Sequence, residues 1–308
     1  MSHPTNATVA GRAFLALRRE AKVAGRTTAE YLRLYALEGF LLRLSRSEHR
    51  DRFVLKGGVL LAAYALRRPT TDIDVAALQT NGDLDEVRRY VTAIAATVLP
   101  PELDDGLVFD LENVTAGIIR DEDQYSGARV RLQVRLGRAR ETFHVDVNFG
   151  DPIWPEPLDI ALPRLVDLEP IVLRGYPMPM VLAEKLVTAL ERGTASTRWR
   201  DFGDVYMLTG HYEFTANSVA DALRAVAEHR GVPLTRLADE LDGYADIGQN
   251  GWAAWRARLG LTDVLPDSFA DVLAAVIAFA DPVLADSAAD TATWNPVERR
   301  WNPATDGA

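Results

Sequence analysis

The alternation of apolar and polar positions predicts an ordered series of elements. From Thr27 onward Tyr31, Leu32, Leu34, Leu37, Phe40, Leu41 and Leu44 recur at helical spacing, and Thr27-x-x-Glu30 has the form of a capping box. A helix is therefore expected over about 28–48. Phe53-Val54-Leu55 reads as a short strand, Lys56-Gly57-Gly58 as a glycine turn, and 59–66 as a second helix. Residues 71–76 alternate and include β-branched side chains, Asn81-Gly82 forms a turn, and a helix follows over 84–98. From 107 to 149 the period falls to two. Turns at Asp121-Glu122-Asp123 with Ser126-Gly127, and at Gly137-Arg138-Ala139-Arg140, divide that stretch into three antiparallel strands.

The prolines Pro152, Pro155, Pro157 and Pro163 then interrupt regular structure and place a boundary near 152–165. Beyond it the periodicity is helical over 178–192, 200–208, 217–230, 234–241 and 269–284. The expected organisation is a mixed α/β (α+β) lobe over 1–160, with its N-terminal helices, followed by a mainly helical lobe over 161–308. The tail repeats Trp-Asn-Pro at 294–296 and 301–303, and those tryptophans are expected to clamp the tail onto the body or a partner.

Composition narrows the possibilities. The 308 residues contain 48% hydrophobic and 25% charged side chains, an ordinary globular balance that excludes wholesale disorder. No apolar stretch is long enough for a spanning helix, and the first residues lack a basic start followed by an apolar run, so membrane insertion and export are not expected. With no cysteine there is no disulfide, thiolate metal site or cysteine nucleophile, which fits a reducing cytoplasm. The formal charge is −10, but residues 1–150 hold 21 Lys and Arg against 20 Asp and Glu, while 151–308 hold 13 against 24. The acidity belongs to the second half, so contact with a nucleic acid would have to be a local patch on the first.

The candidate chemistry is concentrated in three places. Lys56-Gly57-Gly58 is followed, fifteen residues after Gly57, by Asp72-Ile73-Asp74. Residues two apart on a strand share a face, so Asp72 and Asp74 present two carboxylates together. Such a pair invites a divalent cation such as Mg²⁺ or Mn²⁺. Glycines at the start of a helix let a phosphate approach the backbone amides. Taken singly, the same residues also read as a tight turn and a solvated strand edge. In Phe143-His144-Val145-Asp146-Val147-Asn148-Phe149 the residues His144, Asp146 and Asn148 share a face. With a four-residue loop at 137–140, Asp146 lies opposite Arg131, and the hairpin leaves two readings open: a third metal-binding carboxylate or a cross-strand partner of Arg131. The third place is Glu184-Lys185 with Arg198-Trp199-Arg200-Asp201-Phe202-Gly203-Asp204, where a lysine can hold a triphosphate and an aspartate can orient it or accept from a nucleoside. Alone, these are also ordinary surface charges. No Ser-His-Asp arrangement, Walker loop or dinucleotide fingerprint is present.

Together, Lys56-Gly57-Gly58, Arg68-Pro69-Thr70-Thr71-Asp72-Ile73-Asp74, Asp146-Val147-Asn148-Phe149-Gly150-Asp151-Pro152, Leu182-Ala183-Glu184-Lys185 and Arg200-Asp201-Phe202-Gly203-Asp204 resemble the AbiEii/AbiGii toxin family, which includes the MenT toxins. The resemblance spans about 53–210 and lies in the order of the five blocks. It implies a polymerase β-type nucleotidyltransferase lobe with a mixed sheet, a helical second lobe, and the toxin role in a toxin–antitoxin or phage-defence pair. It further implies transfer of a nucleotide from an NTP, CTP or UTP, to an RNA acceptor, a tRNA 3′ end. By the same resemblance Asp72, Asp74 and Asp146 hold Mg²⁺ or Mn²⁺, and Lys56, Gly57 and Gly58 cradle phosphate. Lys185 grips the triphosphate, and Asp201 or Asp204 fixes the lysine or the nucleoside. Gly58 stands where many polymerase β-type enzymes have serine, which removes one side-chain contact to phosphate. Arg129, Arg131, Arg135, Arg67-Arg68 and the basic N-terminal helix are candidate RNA contacts, and a cognate antitoxin is the expected protein partner. The competing expectations are a metal-dependent nuclease, a nucleotidyltransferase acting on a small molecule, and a non-catalytic binding module.

Overall fold

The computed structural model describes residues 5–64, 66–67, 69–78, 82–120, 126–166 and 168–303. Asn81, Arg68 and the Asp121-Glu122-Asp123 turn lie outside the described residues. The chain divides into two compact units, Met1–Gly150 with Leu158–Gly175, and Asp151–Pro157 with Tyr176–Ala308. Passage between them is thus not a single cut at the prolines, because the chain returns to the first unit for two more strands. Among the described residues no helix is long and apolar enough to cross a membrane.

The first unit opens with helices α1 (Val9–Val23) and α2 (Thr28–Arg46). The Thr27 side chain accepts from the Glu30 backbone N–H, as the capping box requires, while the Glu30 carboxylate turns to Arg26 instead of closing the box. Strands β1 (Phe53–Lys56) and β2 (Asp72–Ala77) flank a short α turn, α3 (Gly57–Leu60). Helix α4 (Leu84–Ala95) follows, capped by Asp83, and then β3 (Leu107–Arg120), β4 (Ser126–Leu136) and β5 (Ala139–Phe149). After the proline segment come β6 (Leu158–Leu162) and β7 (Ile171–Gly175), which the sequence pattern did not announce.

These strands form one seven-stranded mixed sheet in the order β3-β4-β5-β2-β1-β7-β6. β2 lies antiparallel to β1 but parallel to β5, and β1 lies parallel to β7. One face carries the core: Val130, Leu132, Val134, Phe143, Val145, Ile73 and Val75 are buried, and Phe40 of α2 meets Phe143 edge-on with ring centres 6.0 Å apart. Two buried ion pairs fix α2 within this unit. Arg43 grips Asp105 through two hydrogen bonds of 2.6 and 3.1 Å, and Glu38 accepts from Arg164 at 2.7 Å and from the Leu165 backbone at 2.8 Å. Each charge is paired, and Arg43, Asp105 and Glu38 are further hydrogen-bonded to the backbone, which offsets the cost of placing them inside; Nη2 of Arg164 is buried without a hydrogen-bond partner among the described residues.

The second unit is mainly helical: α5 (Met178–Arg192), α6 (Trp199–Thr209), α7 (Ala216–Arg230), the single turn α8 (Leu237–Glu240), α9 (Tyr244–Leu259) and α10 (Phe269–Leu284). The expected helix over 234–241 shrinks to α8. The tail forms a hairpin of β8 (Thr293–Asn295) and β9 (Arg300–Asn302), with Trp294 paired to Trp301. Trp294 donates to the Thr209 carbonyl and Trp301 to the Phe279 carbonyl, so the repeated tryptophans do clamp the tail onto its own unit.

Candidate active site

The first cluster is assembled by strand pairing. β2 places Asp74 beside Lys56 of β1 on one side and beside Asp146 of β5 on the other, and it places Asp72 beside His144. Side chains in register across neighbouring strands share a face, so Asp72, Asp74, Asp146, Lys56 and His144 stand together while Ile73, Val75, Val145 and Val147 enter the core. The chain reverses after Lys56 through Gly57, whose φ of +66° belongs to the left-handed region. A Cβ at Gly57 would lie 2.0 Å from Oδ2 of Asp74, so the carboxylate rests against bare backbone. The expected helix over 59–66 is reduced to α3 and a 3-10 turn, Leu61–Tyr64. What Gly57 and Gly58 offer a phosphate is therefore backbone N–H groups, with little of the dipole a long helix would add.

Hydrogen bonds define the arrangement further. Both Asp146 oxygens are taken by Arg129, with Nε at 2.8 Å from Oδ1 and Nη2 at 2.7 Å from Oδ2. Asp72 accepts from the Thr71 hydroxyl at 2.9 Å and stands 3.1 Å from His144 Nδ1. Arg129 is held well above its ordinary pKa, first by its hydrogen bonds to Asp146, against the opposing effect of burial, and then by the charges of Asp146, Asp72 and Asp74. All three carboxylates thus act on one guanidinium. Among the described residues, however, no three acidic or histidine side chains converge at metal-binding distance. The donor chemistry suits a hard divalent ion, being carboxylate oxygens from adjacent strands that need a positive charge, and Arg129 supplies that charge here.

This register corrects one expectation. Asp146 lies opposite Arg129, and Arg131 lies opposite His144, because the hairpin turns through Gly137 and Arg138 alone and Leu136 pairs with Ala139. Gly137 has φ +59°, which a two-residue turn requires. Shortening the loop by two moves every partner but keeps every side chain on its face. Arg129 and His144 thereby join the site: the period-two pattern already put His144 on that face, but the partnership of Arg129 and Asp146 depends on the turn.

The second unit holds the other cluster. Lys185 of α5 donates to Asp201 Oδ1 at 2.9 Å and to Asp204 Oδ2 at 2.7 Å, both on α6. Asp201 also accepts from Arg198. Asp204 is fully buried, and Gly203 between the two aspartates packs under Trp255 and Leu265. Burial alone would raise the Asp201 pKa, but Lys185 and Arg198 outweigh it and hold the carboxyl well below the usual range. The lysine is thus fixed by two carboxylates from the adjoining helix.

A family model described as the nucleotidyl transferase AbiEii toxin of a type IV toxin–antitoxin system matches residues 39–275, well over half of the chain. Among solved structures, MenT4, a nucleotidyltransferase toxin from Mycobacterium tuberculosis, superposes with a TM-score of 0.52 at 19% identity, covering 89% of each chain. JHP933 from Helicobacter pylori gives a TM-score of 0.48 at 14% identity, covering 85% of this chain and 94% of its own. No curated protein matches the chain.

Proposed function

The chain belongs to the AbiEii nucleotidyl transferase toxin family, and from that premise we propose that it transfers a nucleoside monophosphate from an NTP, CTP or UTP, to an RNA 3′ end, that of a tRNA, in the cytoplasm. As a nucleotidyltransferase toxin it has a cognate antitoxin, and enzymes of this activity use an NTP with divalent metal. The observation that carries the reading is the side-by-side placement of Asp74 and Asp146 on neighbouring strands, with Asp72 one alternate position away and Gly57 bare against Asp74.

In the proposed reaction the acceptor hydroxyl gives up its proton to water, its oxygen bonds to the α-phosphorus, the bond from that phosphorus to the β-phosphate oxygen breaks, and pyrophosphate leaves. Asp72, Asp74 and Asp146 would hold Mg²⁺ or Mn²⁺, which would supply positive charge to the transferring phosphate. Lys185 binds the triphosphate as a point charge, and Asp201 and Asp204 keep its ammonium in place. The Lys56-Gly57-Gly58 turn presents amides and a lysine to the departing phosphates. Arg129 holds both oxygens of Asp146 and keeps the carboxylate oriented until substrate arrives.

The test is to incubate the purified protein with Mg²⁺, total RNA and each α-³²P-labelled NTP in turn, beside Asp74→Asn. Label on a tRNA-sized band from one pyrimidine nucleotide, absent in the variant, is the expected result. Shortened unlabelled RNA would replace the reading with a nuclease, and label confined to small molecules would replace the acceptor.

A further inference from the structure

Once Arg129 is assigned to Asp146, the rest of the arginine row on the same face of the β4–β5 hairpin is left without an ion pair among the described residues. Rung by rung the face presents Arg129 with Asp146, Arg131 with His144, Gln133 with Thr142, and Arg135 with Arg140. Same-face rungs are two residues apart, about 7 Å, so the last rung lies about 20 Å from the Asp146 end. Arg131, Arg135 and Arg140 are exposed, and among the described residues none of the three makes an ion pair or a side-chain hydrogen bond.

Within this unit Arg43, Arg164 and Arg33 each meet a carboxylate, whereas these three stand in a row on one sheet face without one among the described residues. Setting Arg135 directly against Arg140 works against the sheet, because like charges opposite each other destabilise a strand pair. On the β3 side, Thr115 stands beside Arg131 and Gly117 beside Arg129, and the space where a Gly117 side chain would rise is open. The row makes no ion pair among the described residues, whereas a chain of phosphates spaced along an extended strand matches its charge, direction and openness. In a protein of charge −10 such a site has to be local.

We propose that Arg131, Arg135 and Arg140 form a track for the phosphodiester backbone of a single-stranded RNA 3′ end. The terminal hydroxyl lies at the Asp146 end, and upstream phosphates pass Arg131 and then the Arg135–Arg140 rung. The inference rests on the transfer reading above for the direction of the strand. Planar guanidinium groups suit phosphate oxygens because they donate two parallel hydrogen bonds.

Binding is measured without nucleotide, by fluorescence anisotropy of a 5′-fluorescein-labelled single-stranded RNA of about 12 nucleotides, over a salt series. Each lost phosphate contact lowers the slope of log affinity against log salt by about 0.7 on a single strand, so the triple variant Arg131→Gln/Arg135→Gln/Arg140→Gln should lose about 2 units of slope. The triple Lys variant, which keeps the charge, should keep most of the slope, and the glutamine variant should melt no lower than wild type. An unchanged slope in the glutamine variant, or no RNA binding by the wild type, overturns the track. If wild type labels RNA and the glutamine variant does so with unchanged KM, the track fails while the transfer reading stands. If RNA binds through these arginines but no NTP is ever transferred, the track stands and the transfer reading falls.

Discussion

Gly57→Ala isolates the contact on which the candidate site depends. Two costs add at this position. An alanine at φ +66° is strained by about 1–2 kcal/mol, the penalty of the left-handed region. Its Cβ would also stand 2.0 Å from Asp74 Oδ2, 2.6 Å from Cγ and 2.8 Å from Cβ. Ordinary contact is about 3.5 Å, so the carboxylate must retreat by roughly 1.5 Å, and because its own Cβ is too close, side-chain rotation alone does not relieve the clash. A misplacement of about 1 Å costs on the order of 100-fold in rate, so transfer should fall at least that far. Gly25→Ala is the matched control: φ is +65°, and nothing lies within 4 Å of the added carbon. Urea unfolding of the two variants separates strain from clash, and label transfer with Mn²⁺ binding reads the site. Equal stability losses in the two variants, with Gly57→Ala transferring label and binding Mn²⁺ like wild type, would refute the claim that Gly57 exists to seat Asp74.

Other perturbations report on the remaining parts. Lys185→Met leaves Asp201 and Asp204 buried without their shared cation, and stability should fall by about 3–5 kcal/mol by urea or thermal unfolding, together with loss of transfer. Because the Asp201 pKa is depressed in the fold, that carboxylate stabilises the native state above the ordinary carboxylate range. Its contribution is lost as pH falls through the depressed folded value, so the acid limb of a urea-midpoint profile should move to higher pH in Arg198→Met. Arg129→Gln frees both oxygens of Asp146. Since Arg129 is half exposed and the pair is screened, Mn²⁺ affinity by electron paramagnetic resonance should rise only a few-fold, and a fall would show that Arg129 organises the site instead of occupying it. Trp294→Ala removes a fully buried ring and its bond to the Thr209 carbonyl. A loss of about 3–5 kcal/mol is expected on thermal unfolding, and none would mean that the tail is not clamped.

What was legible in the sequence, and what was not, follows from which quantities a period of two or 3.6 can encode. The alternation in Asp72-Ile73-Asp74 and His144-Val145-Asp146 put the carboxylates on one face and Ile73 and Val145 in the core, because a one-residue slip would bury a charge. The same alternation is blind to a slip of two. Arg131 or Arg129 opposite Asp146 satisfies it equally, and the choice is made at the far end of the hairpin, where Gly137 accepts a positive φ and shortens the loop. β6 and β7 escaped notice because each is five residues long and follows a run of prolines that reads as a linker. Helix α9 was hidden by Gly248, Asn250 and Gly251, poor helix formers whose reason lies in packing. A Cβ at Gly248 would sit 2.6 Å from Phe269 and one at Gly251 2.5 Å from Trp199, so close aromatic contact selects residues that propensity disfavours. The site divides along the same line. Which side chains carry charge toward a common face is local information, whereas the guanidinium that occupies Asp146 is set by strand register, and that both Asp201 and Asp204, expected as alternatives, share Lys185 is set by helix pairing. Partner assignments, unlike face assignments, therefore need the fold.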